Sequence, residues 1–598
     1  MADEQVEMKP TLGLTGLTMN AMALIAPGAF LWLTFGIQGN TGATAPSMWL
    51  GIVLALLLCL ATAVCYAEMA KLYPGTGSSY YFAEQSFLNH EKAWRYARLS
   101  KFIVGWGSHL YYWVYPGVMV AVMGELCGYL VGTLFPNFMS ASNPGIAFMA
   151  LVAVVFSFGV AWIANRGVNG STSINIAINV IQISALLIFS VMALSYRSNH
   201  PAGSEARQFD ATSSASYTYE FATKTVDKAD TIVRDANQVP QPKLDAAGKP
   251  VPYRISYPEK DDKGNFLTHP SAGSVVGVHN LGWVFVQATV AILILVGFES
   301  VTAMGGEAKN AKRDVPIAVV TSLLVQGAFC YLIEYFAANY FLNSGYPMAS
   351  ATGSAAPIGD MMIIIGDAIF GQGHGRTFML IEAFTVFLAI IGTTLSCMNT
   401  GARVTYAMGK DAELPDHFGA LHNVNLTPHK AIWTLAAISA VVGVVGVAVP
   451  FGDAGALADS AIAALPHGFW STFGYMAHDK MAALPNTLLL VTLCSNFGTF
   501  LLYMLSCFIC MVAYHKHPKF NAVKHLIIPV FGFLANVACM AFYLIGPFMG
   551  YGAKMEPLLA LGVTAVWGIY GGIYFLKSSK DSGRTTLLPN QVSNASGA

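Results

Sequence analysis

One ionisable residue interrupts an apolar stretch that is long enough to cross a membrane. Glu299 lies in the sequence Gly297-Phe298-Glu299-Ser300, inside the apolar residues 281–304. An ionised carboxylate at the centre of a bilayer costs about 2.5–3.5 kcal/mol on insertion scales, so such a group is expected to face protein or water. Two roles follow for Glu299. It could bind and release a proton, or it could be a fixed hydrogen-bond acceptor that holds the helix broken at this point.

A second apolar stretch also breaks at its middle. Residues 17–35 are interrupted by Ala26-Pro27-Gly28. Proline and glycine free backbone N–H and C=O groups that lipid cannot satisfy, so such breaks persist where the freed groups line a cavity. Broken helices at corresponding positions in two halves of a chain point to the midplane site of a secondary transporter. The sequence therefore predicts a transporter whose binding site lies at these two breaks.

Composition places the chain in a membrane. Of its 598 residues 55% are apolar and 11% are charged, against roughly 25% charged residues in an ordinary soluble protein. The formal net charge is zero, and the absence of a basic stripe argues against nucleic acid as a partner.

The start lacks the basic region and cleavage site of a signal peptide, so the first apolar segment is expected to be retained. All nine cysteines fall in apolar segments, which implies no disulfide framework.

The hydropathy pattern predicts an all-α integral membrane protein with twelve transmembrane helices. The predicted spans are residues 17–37, 47–70, 102–131, 143–164, 172–196, 281–305, 316–341, 376–400, 430–450, 485–513, 525–547 and 556–576. Lys and Arg are concentrated in the short loops on the side of the N-terminus, which predicts a multi-pass protein of the cell (inner or plasma) membrane with both termini in the cytoplasm. Residues 76–101 are expected to form an interfacial helix on that side.

Three stretches resemble one transporter family. They are residues 66–80 (YAEMAKLYPGTGSSY), residues 297–300 (GFES) continuing to 307–317 (EAKNAKRDVPI), and residues 401–415 (GARVTYAMGKDAELP) followed by 427–429 (TPH). Together with the twelve predicted spans, they resemble the amino acid–polyamine–organocation (APC) superfamily of permeases. The resemblance covers about residues 12–576, apart from the hydrophilic loop 197–275.

The resemblance implies the LeuT-type fold, a 5+5 inverted repeat with broken helices 1 and 6 plus two accessory helices. The breaks at Ala26-Pro27-Gly28 and at Gly297-Phe298-Glu299 fall in the first helix of each half, as this fold requires. The implied organisation is a cytoplasmic N-terminus (1–16), a first repeat (17–196), an extracytoplasmic hydrophilic loop (197–275), a second repeat (276–513), accessory spans (514–576) and a cytoplasmic tail (577–598).

The resemblance also implies where a substrate would bind. Amides near the first break would face a substrate carboxylate, because half-helix N-termini carry partial positive charge. Freed carbonyls at the second break would face a substrate ammonium group. Tyr111 and Tyr115, one helical turn apart, are expected to line the pocket. The expected substrate-binding residues are Ala26, Pro27, Gly28, Ala29, Tyr111, Tyr115, Gly297, Phe298, Glu299 and Ser300.

The coupling ion stays open between three alternatives. Proton coupling would use Glu299, sodium coupling would use the hydroxyls of Thr393, Thr394 and Ser396, and obligatory exchange would need no ion. Several proton-coupled relatives carry a lysine on the fifth helix, but Gln182 stands at the equivalent position here. No other cofactor, metal or catalytic residue is expected. An inner gate is expected to involve Glu68, Arg313 and Arg403.

We therefore expect a secondary transporter, not an enzyme, that moves amino acids or related amines by alternating access. One alternative is a polyamine or organic-cation carrier, which the acidic residues Glu125, Glu299 and Glu382 keep open. The other is a membrane sensor that kept the fold and lost transport. The expected partners are a small amine-bearing substrate and the lipid bilayer. The oligomeric state is not predicted.

Overall fold

The computed structural model describes residues 10–25, 48–135, 145–199, 281–342, 357–371, 374–448, 487–549 and 555–588, together with positions 138, 246 and 248. Throughout these residues the regular structure is helical. The single exception is an isolated parallel bridge between Leu12 and Ala308. The predictions for residues 1–9, for the first break at 26–29 and for nearly all of the loop 197–275 lie outside the described residues.

Sixteen α-helices are given in chain order. The first eight are α1 (Leu14–Leu24), α2 (Met48–Leu72), α3 (Ser79–Leu88), α4 (Ala97–Tyr112), α5 (Tyr115–Leu134), α6 (Ile146–Ala164), α7 (Val168–Asn199) and α8 (Leu281–Leu295). The others are α9 (Ala311–Leu323), α10 (Leu332–Phe341), α11 (Pro357–Phe370), α12 (Gly375–Lys410), α13 (His429–Gly446), α14 (Thr487–Tyr514), α15 (Ile528–Ile545) and α16 (Met555–Asp581).

Short 3-10 and π turns join several of these helices. A ten-residue 3-10 helix, Phe298–Glu307, follows α8, and a π turn, Leu324–Tyr331, joins α9 to α10. A second π turn, Val523–Ile527, leads into α15.

Ten stretches of the described chain are long and apolar enough to cross a membrane. They match ten of the predicted spans, so the protein is a multi-pass helical membrane protein. The two predicted spans outside this set, 17–37 and 281–305, are those with the predicted breaks. Their first halves are the short helices α1, of 11 residues, and α8, of 15 residues. The total of twelve spans stays a prediction.

Small residues let these apolar helices approach one another closely. A Cβ added at Gly51 of α2 would lie 2.5 Å from the Cβ of Gln287 on α8, and one at Gly124 of α5 would lie 2.8 Å from the Met149 carbonyl oxygen on α6. In lipid, helix association depends on such close packing, because the hydrophobic effect does not drive one apolar helix against another.

The structure differs from the sequence prediction at two elements. Helix α11 lies in the predicted outside loop between the seventh and eighth spans, and its first ten residues, 357–366, are buried in the fold. The predicted interfacial helix 76–101 is not continuous. Residues 79–88 form α3, the chain turns from Asn89 onward, and residues 97–101 are the first residues of α4.

Candidate functional site

The second predicted break is present. Helix α8 ends at Leu295, Gly297 has a φ of +113°, and the 3-10 helix begins at Phe298. A left-handed φ favours glycine because it has no Cβ to clash. A Cβ added at Gly297 would also lie 2.6 Å from Leu24 Cγ. The C-terminal end of α1 therefore packs directly against this break, two residues before the predicted first break at Ala26.

Glu299 is completely buried and accepts three hydrogen bonds. The Tyr112 hydroxyl donates to Oε1 at 3.1 Å, the Tyr503 hydroxyl donates to Oε2 at 2.8 Å, and the Gly297 amide donates to Oε2 at 3.1 Å. A carboxylate is an acceptor-only group when it is ionised, so three converging donors suit the ionised form. The carboxylate joins α4 and α14 to the break itself.

Aromatic rings surround this carboxylate. The ring of Tyr503 lies 5.2 Å from that of Phe298, and the ring of Tyr66 on α2 lies 6.2 Å from both. On α4, the ring of Tyr111 lies 4.6 Å from Tyr112 and 5.3 Å from Tyr115. The predicted pocket residues Tyr111 and Tyr115 are therefore brought to the break, and both are buried.

Two buried hydroxyls at this place have no hydrogen-bond partner in the described part of the chain. They are the phenol of Tyr111 and the hydroxyl of Ser300, which directly follows Glu299. Buried polar groups are normally satisfied by protein or by water. Two unsatisfied hydroxyls beside a helix break are therefore groups that a small polar ligand could satisfy.

Carbonyls in the last two turns of α1 receive side-chain donors from neighbouring elements. Tyr331 donates its hydroxyl to the Ile25 carbonyl, Thr393 donates its hydroxyl to the Ala23 carbonyl at 2.9 Å, and Asn179 donates its amide to the Met19 carbonyl at 2.7 Å. The π turn before α10 and the helices α7 and α12 thus hold the end of α1 in place.

Of the three hydroxyls predicted for a sodium site, only that of Thr393 is seen to bond to α1. Thr394 donates to the Ile390 carbonyl of its own helix at 2.7 Å. Ser396 accepts from Asn175 of α7 at 2.9 Å, and the same Asn175 amide also donates to Asn20 of α1 at 2.8 Å. Neutral amides and hydroxyls therefore join α1, α7 and α12 here. The sodium assignment stays a prediction.

Gln182 of α7, at the position where several proton-coupled relatives carry a lysine, is also buried. Within the described residues, neither polar atom of its side chain has a hydrogen-bond partner.

The predicted gate residues have separate partners. Arg403 of α12 forms a buried bidentate ion pair with Glu307, with Nη2–Oε1 at 2.8 Å and Nε–Oε2 at 3.1 Å. The backbone of Glu307 also accepts the amides of Thr11 and Leu12 at 2.9 Å. This pair therefore ties the N-terminal segment and the 3-10 helix to α12.

Glu68 instead lies 2.7 Å from Lys71 and 3.3 Å from His525. Arg313 is exposed on the first turn of α9. The structure does not bring these two residues together with Arg403, and the gate role of all three stays a prediction.

A second ionic cluster lies on the same side of the protein. Arg98 of α4 pairs with Glu413 at 2.8 Å, and Lys101 pairs with Asp411 at 2.9 Å. Tyr80 of α3 donates its hydroxyl to Asp411 at 2.8 Å. Burial, and secondarily the Asp411 carboxylate, raises the pKa of Tyr80 above its usual range, so the phenol keeps its proton and remains a donor.

Three of the residues that complete the site were missed in the sequence. Tyr66 falls in the first family-like stretch and Tyr112 lies beside a predicted pocket residue, so both had a weak local signal. Tyr503 lies more than 200 residues from Glu299, in an apolar helix outside the three family-like stretches. Only the packing of α14 against α4 reveals it.

The helical membrane fold, and the buried polar site where the end of α1 meets the break at Gly297, define the class of a membrane transport protein. The particular family follows from comparison. A family profile described as "Amino acid permease" matches residues 11–567, so the chain belongs to the amino acid permease family of the APC superfamily. The resemblance seen in the sequence is confirmed.

Individual relatives are distant. The "Branched-chain amino acid permease BcaP" of Bacillus subtilis (strain 168) is 22% identical over 448 residues, covering 73% of this chain and 75% of the relative. The "Low-affinity putrescine importer PlaP" of Escherichia coli (strain K12) is 22% identical over 446 residues, with the same two shares. BcaP of Lactococcus lactis subsp. cremoris (strain MG1363) is 30% identical over 151 residues, which are 25% of this chain and 30% of the relative.

Proposed function

We propose that this protein is a secondary active transporter that moves amino acids, or closely related amines, across the membrane by alternating access. The observation that carries the proposal is the contact between the end of α1 and the break at Gly297, beside the unpartnered hydroxyls of Tyr111 and Ser300. The family and the named relatives support the substrate class, since both include transporters of amino acids or amines.

The substrate would be held by complementary backbone charge. Its carboxylate would lie near the amides of Ala26, Gly28 and Ala29, whereas Pro27 has no N–H to donate. Its ammonium group would lie against the carbonyls of Gly297 and Phe298. The hydroxyls of Tyr111 and Ser300, which have no partner among the described residues, would add neutral hydrogen bonds to the substrate.

Alternating access requires contacts that open and close on each side of this site. On the lysine-rich side, which we propose is cytoplasmic, the bridge between Leu12 and Ala308 and the ion pair of Arg403 with Glu307 hold three segments together. Opening toward that side would separate these contacts, so we propose that they belong to the inner gate.

Coupling is proposed to be to protons or by exchange. Glu299 accepts from three donors. Protonation would weaken these bonds, because the acceptor loses its charge, and would add a donor hydrogen that needs an acceptor of its own. Proton uptake would therefore weaken the hydrogen bonds that join α4 and α14 to the break. In an exchanger the same carboxylate would stay ionised and act only as a brace.

A polyamine or organic-cation carrier is the second candidate, favoured by the likeness to PlaP. A diamine has no carboxylate and carries a second ammonium group, which needs an acidic partner. Glu299 is already satisfied by two tyrosines and a backbone amide. We therefore rank the amino acid above the polyamine.

Tracer flux in proteoliposomes tests the proposal. Purified protein should take up at least one amino acid in a saturable manner, and Ser300→Ala and Tyr111→Phe should each weaken the apparent affinity for it. Ser184→Ala is the matched control, because this exposed serine donates only to its own helix. Saturable uptake of diamines but of no amino acid would favour the second candidate. Folded protein that transports none of them would favour a sensor.

A further inference from the structure

Exposed lysines gather around the turn between α14 and α15. Lys516, Lys519 and Lys524 lie on this turn, and Lys71 ends α2 beside it. We call these four residues the α14–α15 basic surface. The carboxylates that face it are Glu91, 3.2 Å from Lys516, and Glu68, which lies 2.7 Å from Lys71 and 3.9 Å from Lys524. His525 lies 3.3 Å from Glu68 as well. Four lysines against two carboxylates leave the surface positively charged.

Apolar side chains mark where the hydrocarbon of the membrane begins beside this surface. Phe520, Val523 and Ile527 are all exposed. They continue without interruption into the exposed apolar residues of the membrane-spanning helix α15, which are Val530, Phe531 and Leu534. Exposed apolar residues of a membrane-spanning helix are expected to face lipid, which would place Phe520 and Val523 at the edge of the hydrocarbon layer. Lys519 and Lys524 are neighbours of these two residues in the sequence, so their ammonium groups are expected at the depth of the lipid headgroups.

The turn that carries these lysines is fixed by its own hydrogen bonds. The side-chain oxygen of Asn521 accepts hydrogen bonds from the backbone amides of Val523 and Lys524 at 3.0 and 3.1 Å. The backbone amide of Asn521 donates to His525 Nδ1 at 2.8 Å. The ring of His525 in turn stacks on Tyr514 with 3.4 Å between the ring centroids. The lysines are therefore presented on a defined surface between two membrane helices.

We propose that the α14–α15 basic surface binds the phosphate headgroup of an anionic phospholipid. The lysines provide the charge that a phosphate needs, and the exposed apolar stripe next to them provides the contact for its acyl chains. Basic pockets between transmembrane helices are known to hold anionic headgroups in this way. A soluble anion would contact the lysines but would have no acyl chains to pack against the exposed apolar side chains. A bound lipid would link α14 and α15 to the end of α2 at one face of the protein.

Thermal unfolding in vesicles of defined composition tests the proposal. Full-length protein is reconstituted in phosphatidylcholine alone or in phosphatidylcholine with phosphatidylglycerol. The test variant is the double substitution Lys519→Gln/Lys524→Gln. The control is Lys309→Gln/Lys312→Gln, which removes two exposed lysines at the start of α9, one just before the helix and one on its first turn. Wild type and control should gain the same rise in unfolding temperature from phosphatidylglycerol, and the test variant should lose at least half of it.

Two results would overturn the proposal. If phosphatidylglycerol raises the unfolding temperature of the test variant as much as that of the control variant, the lipid acts without this surface. An equal rise from soluble glycerol phosphate, added to protein in phosphatidylcholine, would mean that the surface binds a free anion. If the double variant does not fold, Lys519→Gln alone replaces it, because Lys519 forms no ion pair within the described residues and its loss leaves no carboxylate unpaired.

Discussion

The hydrogen bond between Tyr503 and Glu299 offers the sharpest test of how the site is built. The Tyr503 hydroxyl donates to a fully buried carboxylate at 2.8 Å. A hydrogen bond to a charged group contributes about 1.5–3 kcal/mol, whereas one between neutral groups contributes about 0.5–1.5 kcal/mol. In Glu299→Gln the acceptor becomes neutral, so removing the hydroxyl by Tyr503→Phe should cost about 1–1.5 kcal/mol less in that variant than in the wild type.

The assay is a double-mutant cycle on initial uptake of the transported substrate at subsaturating concentration. Because about 1.4 kcal/mol corresponds to a factor of ten, Tyr503→Phe should slow uptake about tenfold more in the wild-type background than in the Glu299→Gln background. Tyr543→Phe is the matched control. Tyr543 is a buried tyrosine that accepts from Asn496 at 2.8 Å, so its substitution should have the same effect in both backgrounds.

Two outcomes would refute this reasoning. If the effects of Tyr503→Phe and Glu299→Gln simply multiply, the hydroxyl does not act through the carboxylate. If Glu299→Gln itself shows wild-type uptake and exchange across the pH range, Glu299 has no coupling role. Surface expression and a monodisperse elution profile of each variant must first match the wild type, since an unfolded protein would give the same loss of uptake.

The other predictions concern the break and the lysine-rich side. Arg403→Ala leaves a buried carboxylate unpaired and should lower the free energy of unfolding by about 3–5 kcal/mol, measured by denaturation in detergent; an unchanged midpoint would contradict it. Gly297→Ala should abolish uptake because φ is +113° and the new Cβ meets Leu24. Gly107→Ala, with nothing within 4 Å, should retain it. Arg584→Ala removes a partly exposed ion pair with Glu413 and two hydrogen bonds to the carbonyls of Asp411 and Ala412, so it should lower the free energy of unfolding by about 1–2 kcal/mol; an unchanged midpoint would contradict it.

Local sequence was enough to find the second break and its buried acid. Gly297 and Glu299 are two residues apart in the sequence. A carboxylate inside an apolar segment is costly in lipid, so it is expected to be buried within the protein. The membrane spans were equally accessible, because length and hydropathy decide them. Ten of the twelve predicted spans correspond to long apolar helices in the described residues.

The partners of these residues could not be read from the sequence. Tyr503 and Tyr112 reach Glu299 from helices that are distant along the chain, and any buried tyrosine in an apolar helix looks the same locally. The same applies to Glu307, whose pairing with Arg403 depends on how the 3-10 helix packs against α12. Helix α11 was missed because its 14 residues are too few for a span, and the sequence alone does not show that its apolar residues are covered by neighbouring helices.

Tracer flux of amino acids into proteoliposomes tests the central claim most directly. We expect saturable uptake of at least one amino acid that is competed by the same unlabelled amino acid and is weakened by Ser300→Ala. Folded, reconstituted protein that gives no saturable flux of any amino acid, in uptake or in exchange, would contradict it.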